Sequence, residues 1–209
     1  MKVTSLKQQA RNPSRVNVYL DGEFALGLTK ILAVRLAIGQ VLDEPALERL
    51  KQADAVEVAY ERTLHFLGPR PRSESEIRRR LATAKVPEDA VASVLARLRQ
   101  AGLVDDKAFA SYWVENRTNF RPRSKRLLQM ELRQKGLSDE ELKAALAEVD
   151  DVGAAYTVAK QRAGRFKELE HLEFKRKLGA FLARRGFDYD TIEPTVARVW
   201  KELHEGSEY

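Results

Sequence analysis

The sequence predicts a mainly α-helical protein: three tandem three-helix repeats in an extended, curved array, preceded by a small β-hairpin and helix region. Three observations predict it. Apolar residues recur at a fixed offset. Helix-capping signals recur with them. One Asp-Gly dipeptide stands between two alternating runs near the N-terminus.

The repeat is read from Ile77, Leu81, Val86, Val91, Leu95 and Leu98. An offset of 51 lands on Leu128, Leu132, Leu137, Leu142, Leu146 and Val149. A further 50 lands on Leu178, Leu182, Phe187, Ile192, Val196 and Val199. Every position is apolar, and spacings of three and four put each set on one helix face. The breaks fall together at Lys85-Val86-Pro87, Lys135-Gly136-Leu137 and Arg185-Gly186-Phe187, each a basic helix end, with glycine in two copies. Ser73 with Glu76 and Ser138 with Glu141 carry the capping-box spacing. Asp105-Asp106 and Asp150-Asp151 precede helices and read as N-caps. Each unit has an upstream helix, at about 55–67, 106–119 and 152–164. The expected divisions are a lead-in over 1–54, repeats over 55–104, 105–150 and 151–204, and a polar tail over 205–209.

Ahead of the repeats, the polar first fifteen residues are expected to be loose. Val16, Val18 and Leu20 alternate with polar residues, and Phe24, Leu26 and Leu28 alternate again after Asp21-Gly22. This predicts strands at about 15–20 and 23–28 joined by a type I′ turn. A lone hairpin is marginal in water and needs a support. A helix over about 30–38, ending at Gly39, is the expected one. Another helix starts near Glu44, where Pro45 suits the first turn, and reaches Tyr60 or beyond.

Composition narrows the function. The 209 residues include no cysteine, so disulfides and thiolate chemistry are excluded. His65, His171 and His204 lie far apart and offer no histidine-rich metal site. There is no signal-peptide pattern at the N-terminus and no long apolar run, so a cytoplasmic, non-membrane protein is expected. No phosphate-binding glycine loop occurs, and no residue set combines a base, a nucleophile and an oxyanion donor. The expectation is a non-enzymatic protein without metal or cofactor. Phe109, Tyr112 and Trp113 share a helix face and read as core.

The net charge is +6, and the basic residues cluster on the start and middle helix of each repeat. The first repeat has Arg70, Arg72, Arg78, Arg79, Arg80 and Lys85. The second has Arg117, Arg121, Arg123, Lys125, Arg126, Arg133 and Lys135. The third has Lys175, Arg176, Lys177, Arg184 and Arg185. Such clusters are either a solvated face or a stripe that meets phosphate or an acidic protein surface. The loops Gly68-Pro69-Arg70-Pro71-Arg72-Ser73 and Phe120-Arg121-Pro122-Arg123-Ser124 set arginines beside a helix N-terminus, where backbone N–H groups also favour anions.

The chain resembles the bacterial regulatory RecX family along nearly its whole length. One specific part is Arg70-Pro71-Arg72-Ser73-Glu74 with Glu76-Ile77 and Leu81, then Leu98, Gly102-Leu103-Val104-Asp105-Asp106 and Phe109-Ala110. The other is Arg117, Gln129 and Glu131-Leu132-Arg133-Gln134-Lys135-Gly136-Leu137-Ser138, followed by Ala145-Leu146. It departs from the family pattern at Lys85-Val86 and Ser124, where glycine is common. The resemblance implies tandem three-helix repeats. It implies a partner, the RecA recombinase filament on single-stranded DNA, held in the filament's helical groove. Inhibition of ATP hydrolysis and strand exchange would follow, with damping of the DNA-damage response, and some members bind DNA directly. The expected contacts with filament or DNA are Arg70, Arg72, Arg79 and Arg80 in the first repeat. In the second they are Arg121, Arg123, Lys125, Arg126, Arg133 and Lys135, and in the third Lys175, Arg176 and Arg184. Two other classes stay open: a general module for single- or double-stranded DNA that competes for phosphate, and an adaptor whose charge serves solubility. Nothing like a heptad seam demands a dimer, so a monomer is expected.

Overall fold

The structure, a computed structural model, describes residues 1–204, and the polar tail at 205–209 lies outside the described residues. It divides into two compact units, Met1–Val104 and a second that begins at Asp105.

The first unit opens with an antiparallel sheet in the order β1 (Val3–Gln9), β2 (Asn12–Leu20) and β3 (Glu23–Thr29). The Asp-Gly hairpin is present: Asp21 and Gly22 both take positive φ, at 48° and 94°, the requirement of a type I′ turn. β1 corrects the expectation of a loose N-terminus. Its alternation is hidden because the register shifts between Val3 and Ser5 and again between Gln8 and Gln9. A bulge breaks the period of two that identifies a strand. Val3, Val18, Leu20, Leu26 and Leu28 are buried on one face.

Helix α1 spans only Lys30–Ala33, not the expected nine residues. The segment after it is captured by the chain start. The Gly39 N–H donates to the Val3 carbonyl (2.7 Å), Val3 N–H to Gln40 (2.8 Å), and Leu42 N–H to Met1 (2.8 Å). These distant backbone bonds outcompete a helix that local propensity would continue. Helix α2 (Glu44–Leu67) is one element of 24 residues, capped by the Asp43 carboxylate on the Ala46 N–H at 2.8 Å. Its first half supports the sheet through Leu47, Leu50 and Ala53, and its second half is the first helix of repeat one, through Val56, Ala59 and Tyr60. Between the halves, buried Asp54 accepts from Arg15 Nη1 (2.8 Å) and from the Thr29 N–H (2.6 Å), tying sheet to helix. Helices α3 (Glu74–Thr83) and α4 (Glu88–Gln100) complete the repeat.

The second unit contains two repeats. One is α5 (Asp106–Phe120), α6 (Lys125–Gln134) and α7 (Asp139–Ala145). The other is α8 (Asp151–Ala163), a 3₁₀ turn at Gly164–Phe166, α9 (His171–Ala183) and α10 (Tyr189–His204). Each has its own core. Of the repeated apolar positions, Val86, Val149 and Ile192 are half-buried and the rest are buried.

Caps reproduce the repeat. Ser73 and Ser138 form full capping boxes with Glu76 and Glu141. Asp105 and Asp150 accept from first-turn N–H groups. Ser124, at the offset of 51 from Ser73, accepts from the Leu127 N–H, and both serines are buried. After the second helix of each repeat comes a left-handed residue: Lys85 (φ 56°), Gly136 (84°) and Gly186 (91°). The offset therefore pairs Lys85, not its neighbours, with the two glycines. Repeat three departs at its middle helix, which begins at His171 after Glu170 without a side-chain cap.

Candidate functional site

The arginines of the first repeat divide by partner. Arg70 lays its fork on Glu76 at 2.8 and 3.2 Å, while the same Glu76 carboxylate accepts the Ser73 N–H in the capping box. Arg72 lies over the Phe66 ring, 4.0 Å from its centroid, and its Nε donates to the Phe66 carbonyl at 3.3 Å. Burial, and next the charge of Arg70, hold the Arg72 guanidinium below its ordinary pKa, with Glu76 acting the other way. Arg78 is neutralised by Glu74 and Glu88. Arg79 and Arg80 stand exposed on α3, with Arg80 5.9 Å from the Phe66 centroid.

The second repeat is organised by Glu131, whose side chain is 12% exposed. It accepts Trp113 Nε1 at 2.9 Å, Arg117 Nε at 3.0 Å, and Arg123 Nη1. Arg117 and Lys135 also lie over the Trp113 ring, at 4.3 and 5.0 Å. Arg123 and Lys135 thus act inside the repeat. Arg133 pairs with Asp139 at 2.9 Å on the surface. Lys125 donates its backbone N–H to Asp151 at 2.6 Å and leaves its side chain exposed. Arg121 and Arg126 are exposed, Arg126 reaching the Gly186 carbonyl at 3.4 Å.

The third repeat docks on the second through the turn after α9. Arg185 Nη1 donates to the Pro122 carbonyl (2.9 Å), and the Ser124 N–H donates to the Arg185 carbonyl (3.0 Å). Gly186 makes the approach possible: a Cβ there would lie 2.5 Å from Ser124 Oγ and 2.7 Å from Leu127 Cβ. The Phe181 ring is shared by Arg185 (4.8 Å) and Arg162 (5.3 Å), and Arg162 also lies 5.5 Å from the Phe166 centroid. Burial, and then Arg123, Arg121 and Arg162, push the Arg185 pKa down. The Arg162 and Arg185 guanidinium groups therefore share one ring beside the Pro122 loop. On the same repeat Lys175 pairs with Glu193 and Arg176 with Glu173, both at the surface, and Arg184 is exposed.

Sequence reasoning placed Arg121 and Arg123 among the candidates and passed over Arg162 and Arg185 as contacts. Arg162 sits alone in a mixed helix with no cluster to mark it, and its neighbours become visible only when α8, α9 and the Pro122 loop meet. Among the described residues, no group of three or more acidic or histidine side chains is placed to hold a metal ion, and no helix is long and apolar enough to cross a membrane. His65 is exposed on α2, and His171 and His204 pack against Trp200.

Comparison with known proteins bears on the whole chain. The family model for the regulatory protein RecX N-terminal domain matches residues 1–43. Those for the first, second and third three-helix domains of RecX match 59–98, 105–146 and 148–195. Regulatory protein RecX of Levilactobacillus brevis is 33% identical over 206 residues, covering 95% of this chain and 77% of the relative. That of Lacticaseibacillus paracasei is 30% identical, covering 95% and 84%. A crystal structure of regulatory protein RecX superposes with a TM-score of 0.71 at 28% identity, covering 92% of this chain and 97% of that one. The structure of RecX from Lactobacillus salivarius shares the fold, with a TM-score of 0.60 at 24% identity, covering 70% of this chain and 97% of that one. With the sheet domain and all three helical repeats matched in order, the chain belongs to the RecX family of regulatory proteins.

Proposed function

We propose that the protein regulates the RecA recombinase by binding its filament on single-stranded DNA and restraining it, so that ATP hydrolysis and strand exchange slow. The reading makes it a non-enzymatic, cytoplasmic regulator that acts as a monomer and damps the damage response. The observation that carries it is the match of all four RecX domains, in order, along this chain. Supporting it are exposed basic side chains on the middle helices, Arg79 and Arg80 on α3, Lys125 and Arg126 on α6, and Arg184 after α9. These are groups able to meet phosphate or acidic protein surface. Arg70 and Arg123 are held by Glu76 and Glu131, so their share in such contact is smaller.

The test is ATP hydrolysis by the cognate recombinase on single-stranded DNA, titrated with this protein, beside binding to the same DNA alone. Inhibition well below the concentration that coats bare DNA is the expected result. Inhibition only at saturation of the DNA would replace this reading with competition for phosphate. Charge reversal at Lys125 with Arg80 is the suitable variant, because both side chains are exposed and, among the described residues, neither holds an ion pair. Reversal at Arg123 would set two carboxylates against each other at Glu131 and report on folding instead.

A further inference from the structure

We propose that a cleft in the first unit binds a small polyphosphorylated molecule of nucleotide size. The start of β2, one face of α2 and the turn between α3 and α4 wall the cleft, and its volume is 720 Å³. Small-molecule sites span about 300–1,000 Å³. Arg15, Lys51, Arg62 and Lys85 line it against two carboxylates, Asp54 and Glu61. Asp54 already accepts from Arg15 and from the Thr29 N–H. Among the described residues no acidic side chain forms an ion pair with Arg62, His65 or Lys85, and all three are exposed. Cations gathered with too few counter-charges are relieved by an anion, and the planar fork of arginine suits the oxygens of phosphate.

Lys85 marks the site independently of its charge. It holds φ 56° at the position that glycine fills in the other two repeats, and its side chain lines the cleft. Backbone strain of this kind persists where the side chain has a use. At the other end, polar donors are left over. Arg15 gives Nη1 to Asp54 and Nη2 to the Gly27 carbonyl, and keeps the rest of its five N–H groups. Asn12 Oδ1 accepts from the Ser14 N–H, which leaves the Asn12 amide N–H₂ as a donor. Between the ends, half-buried Val58 and Val86 form an apolar wall. Lys51 and Arg62 stand eleven residues apart on α2, about 16 Å along the helix, a span that one phosphate does not bridge. A di- or triphosphate seats at Arg62, His65 and Lys85, and the body of the molecule extends along Val58 toward Asn12. The cleft needs neither recombinase nor DNA, so it stands or falls apart from the filament reading.

The experiment is calorimetric titration of the full chain with ATP, with tripolyphosphate and with adenosine, at physiological salt and without recombinase. Saturable binding of ATP, displaced by tripolyphosphate and not by adenosine, is the expected result. Arg62→Gln and Lys85→Gly should each weaken it about 10-fold, the loss of one charge-assisted hydrogen bond. Lys85→Gly should do so while raising the melting temperature, a split that a merely structural role of Lys85 would not produce. Arg49→Gln, exposed on α2 outside the cleft, should leave the affinity unchanged. Tripolyphosphate bound as tightly as ATP would support the phosphate site and show that the nucleoside is not read. No saturable binding of either would overturn the proposal, and so would displacement by adenosine. Unchanged affinity in the Arg62→Gln/Lys85→Gly double variant, or equal weakening by Arg49→Gln, would overturn it as well. An oligothymidylate that displaces ATP at a lower phosphate concentration than tripolyphosphate would assign the cleft to a DNA strand and overturn it too. Loss of ATP binding in the double variant with inhibition of the recombinase intact would support the cleft and leave the filament reading standing.

Discussion

The first and second repeats place side chains at the same three positions and use them in opposite ways. In the first, two guanidinium groups approach the aromatic ring of Phe66, Arg72 at 4.0 Å and Arg80 at 5.9 Å. An offset of 51 turns these residues into Arg117, Arg123 and Glu131. There a carboxylate is the centre, and the two arginines donate to it. The third repeat, 50 further on, has Phe181 at the Glu131 position, shared by Arg162 and Arg185. The repeat preserves a place where cations gather around one acceptor, and lets a π-face or a carboxylate serve as that acceptor.

The exchange decides which arginines are available to a partner. Arg70 and Arg121 occupy one repeat position, but Glu76 has Leu127 as its counterpart. Arg70 is therefore held in a fork by Glu76, and among the described residues Arg121 has no ion pair of that kind. The inner arginines reverse: Arg72 is stacked and Arg123 is ion-paired. A basic motif repeated in sequence does not present a repeated surface, because the neutralising acids do not repeat with it.

The largest effect should come at the left-handed turn that ends the second helix of each repeat. Gly186→Ala places a methyl group against Ser124 and Leu127 at positive φ, and should cost about 2–4 kcal/mol in denaturant unfolding of the full chain. An unchanged midpoint would show that the second and third repeats are not locked by this contact.

Next is Glu131→Ala, which removes the acceptor of Arg117, Arg123 and Trp113 Nε1 together. It should cost about 2 kcal/mol by the same measurement, since hydrogen bonds to charged groups are worth more than neutral ones. A loss no larger than that of a surface pair would mean the carboxylate centre is no stronger than the aromatic one. Lys85→Gly should instead stabilise, by about 0.5–1 kcal/mol, because Lys85 holds φ 56° where the other repeats have glycine. A fall in the melting temperature would imply that the Lys85 side chain contributes more than its backbone strain costs. Smallest is Arg80→Ala, at the position of Glu131. It should change stability by less than about 0.5 kcal/mol, as expected of an exposed cation, and a larger loss would show the Phe66 stack to be structural.

Much of the helical plan was legible because its signals are local. A period of three and four, a serine or aspartate before it and a left-handed residue after it all lie within a few residues. Ser73 with Glu76, Ser138 with Glu141, Asp105 and Asp150 cap as their spacing implies. Asp21-Gly22 is as local, since positive φ at both positions is a property of the dipeptide.

What the tertiary structure alone decided depends on partners distant in the chain. β1 escaped because its bulges erase alternation, and the pairing of Lys7 with Asn17 and of Leu6 with Val18 is what makes it a strand. α1 stops at Ala33 because residues 39–42 bond to the first three residues. Every basic candidate was visible in the sequence, but its state was not. Arg123 meets Glu131 eight residues on, and Arg185 meets Pro122 across 63 residues. The sequence determined where the helices lie and which residues carry charge, through periodicity and capping that act within a turn. Folding determined which charges are satisfied, because ion pairing and desolvation depend on distance in space and not along the chain.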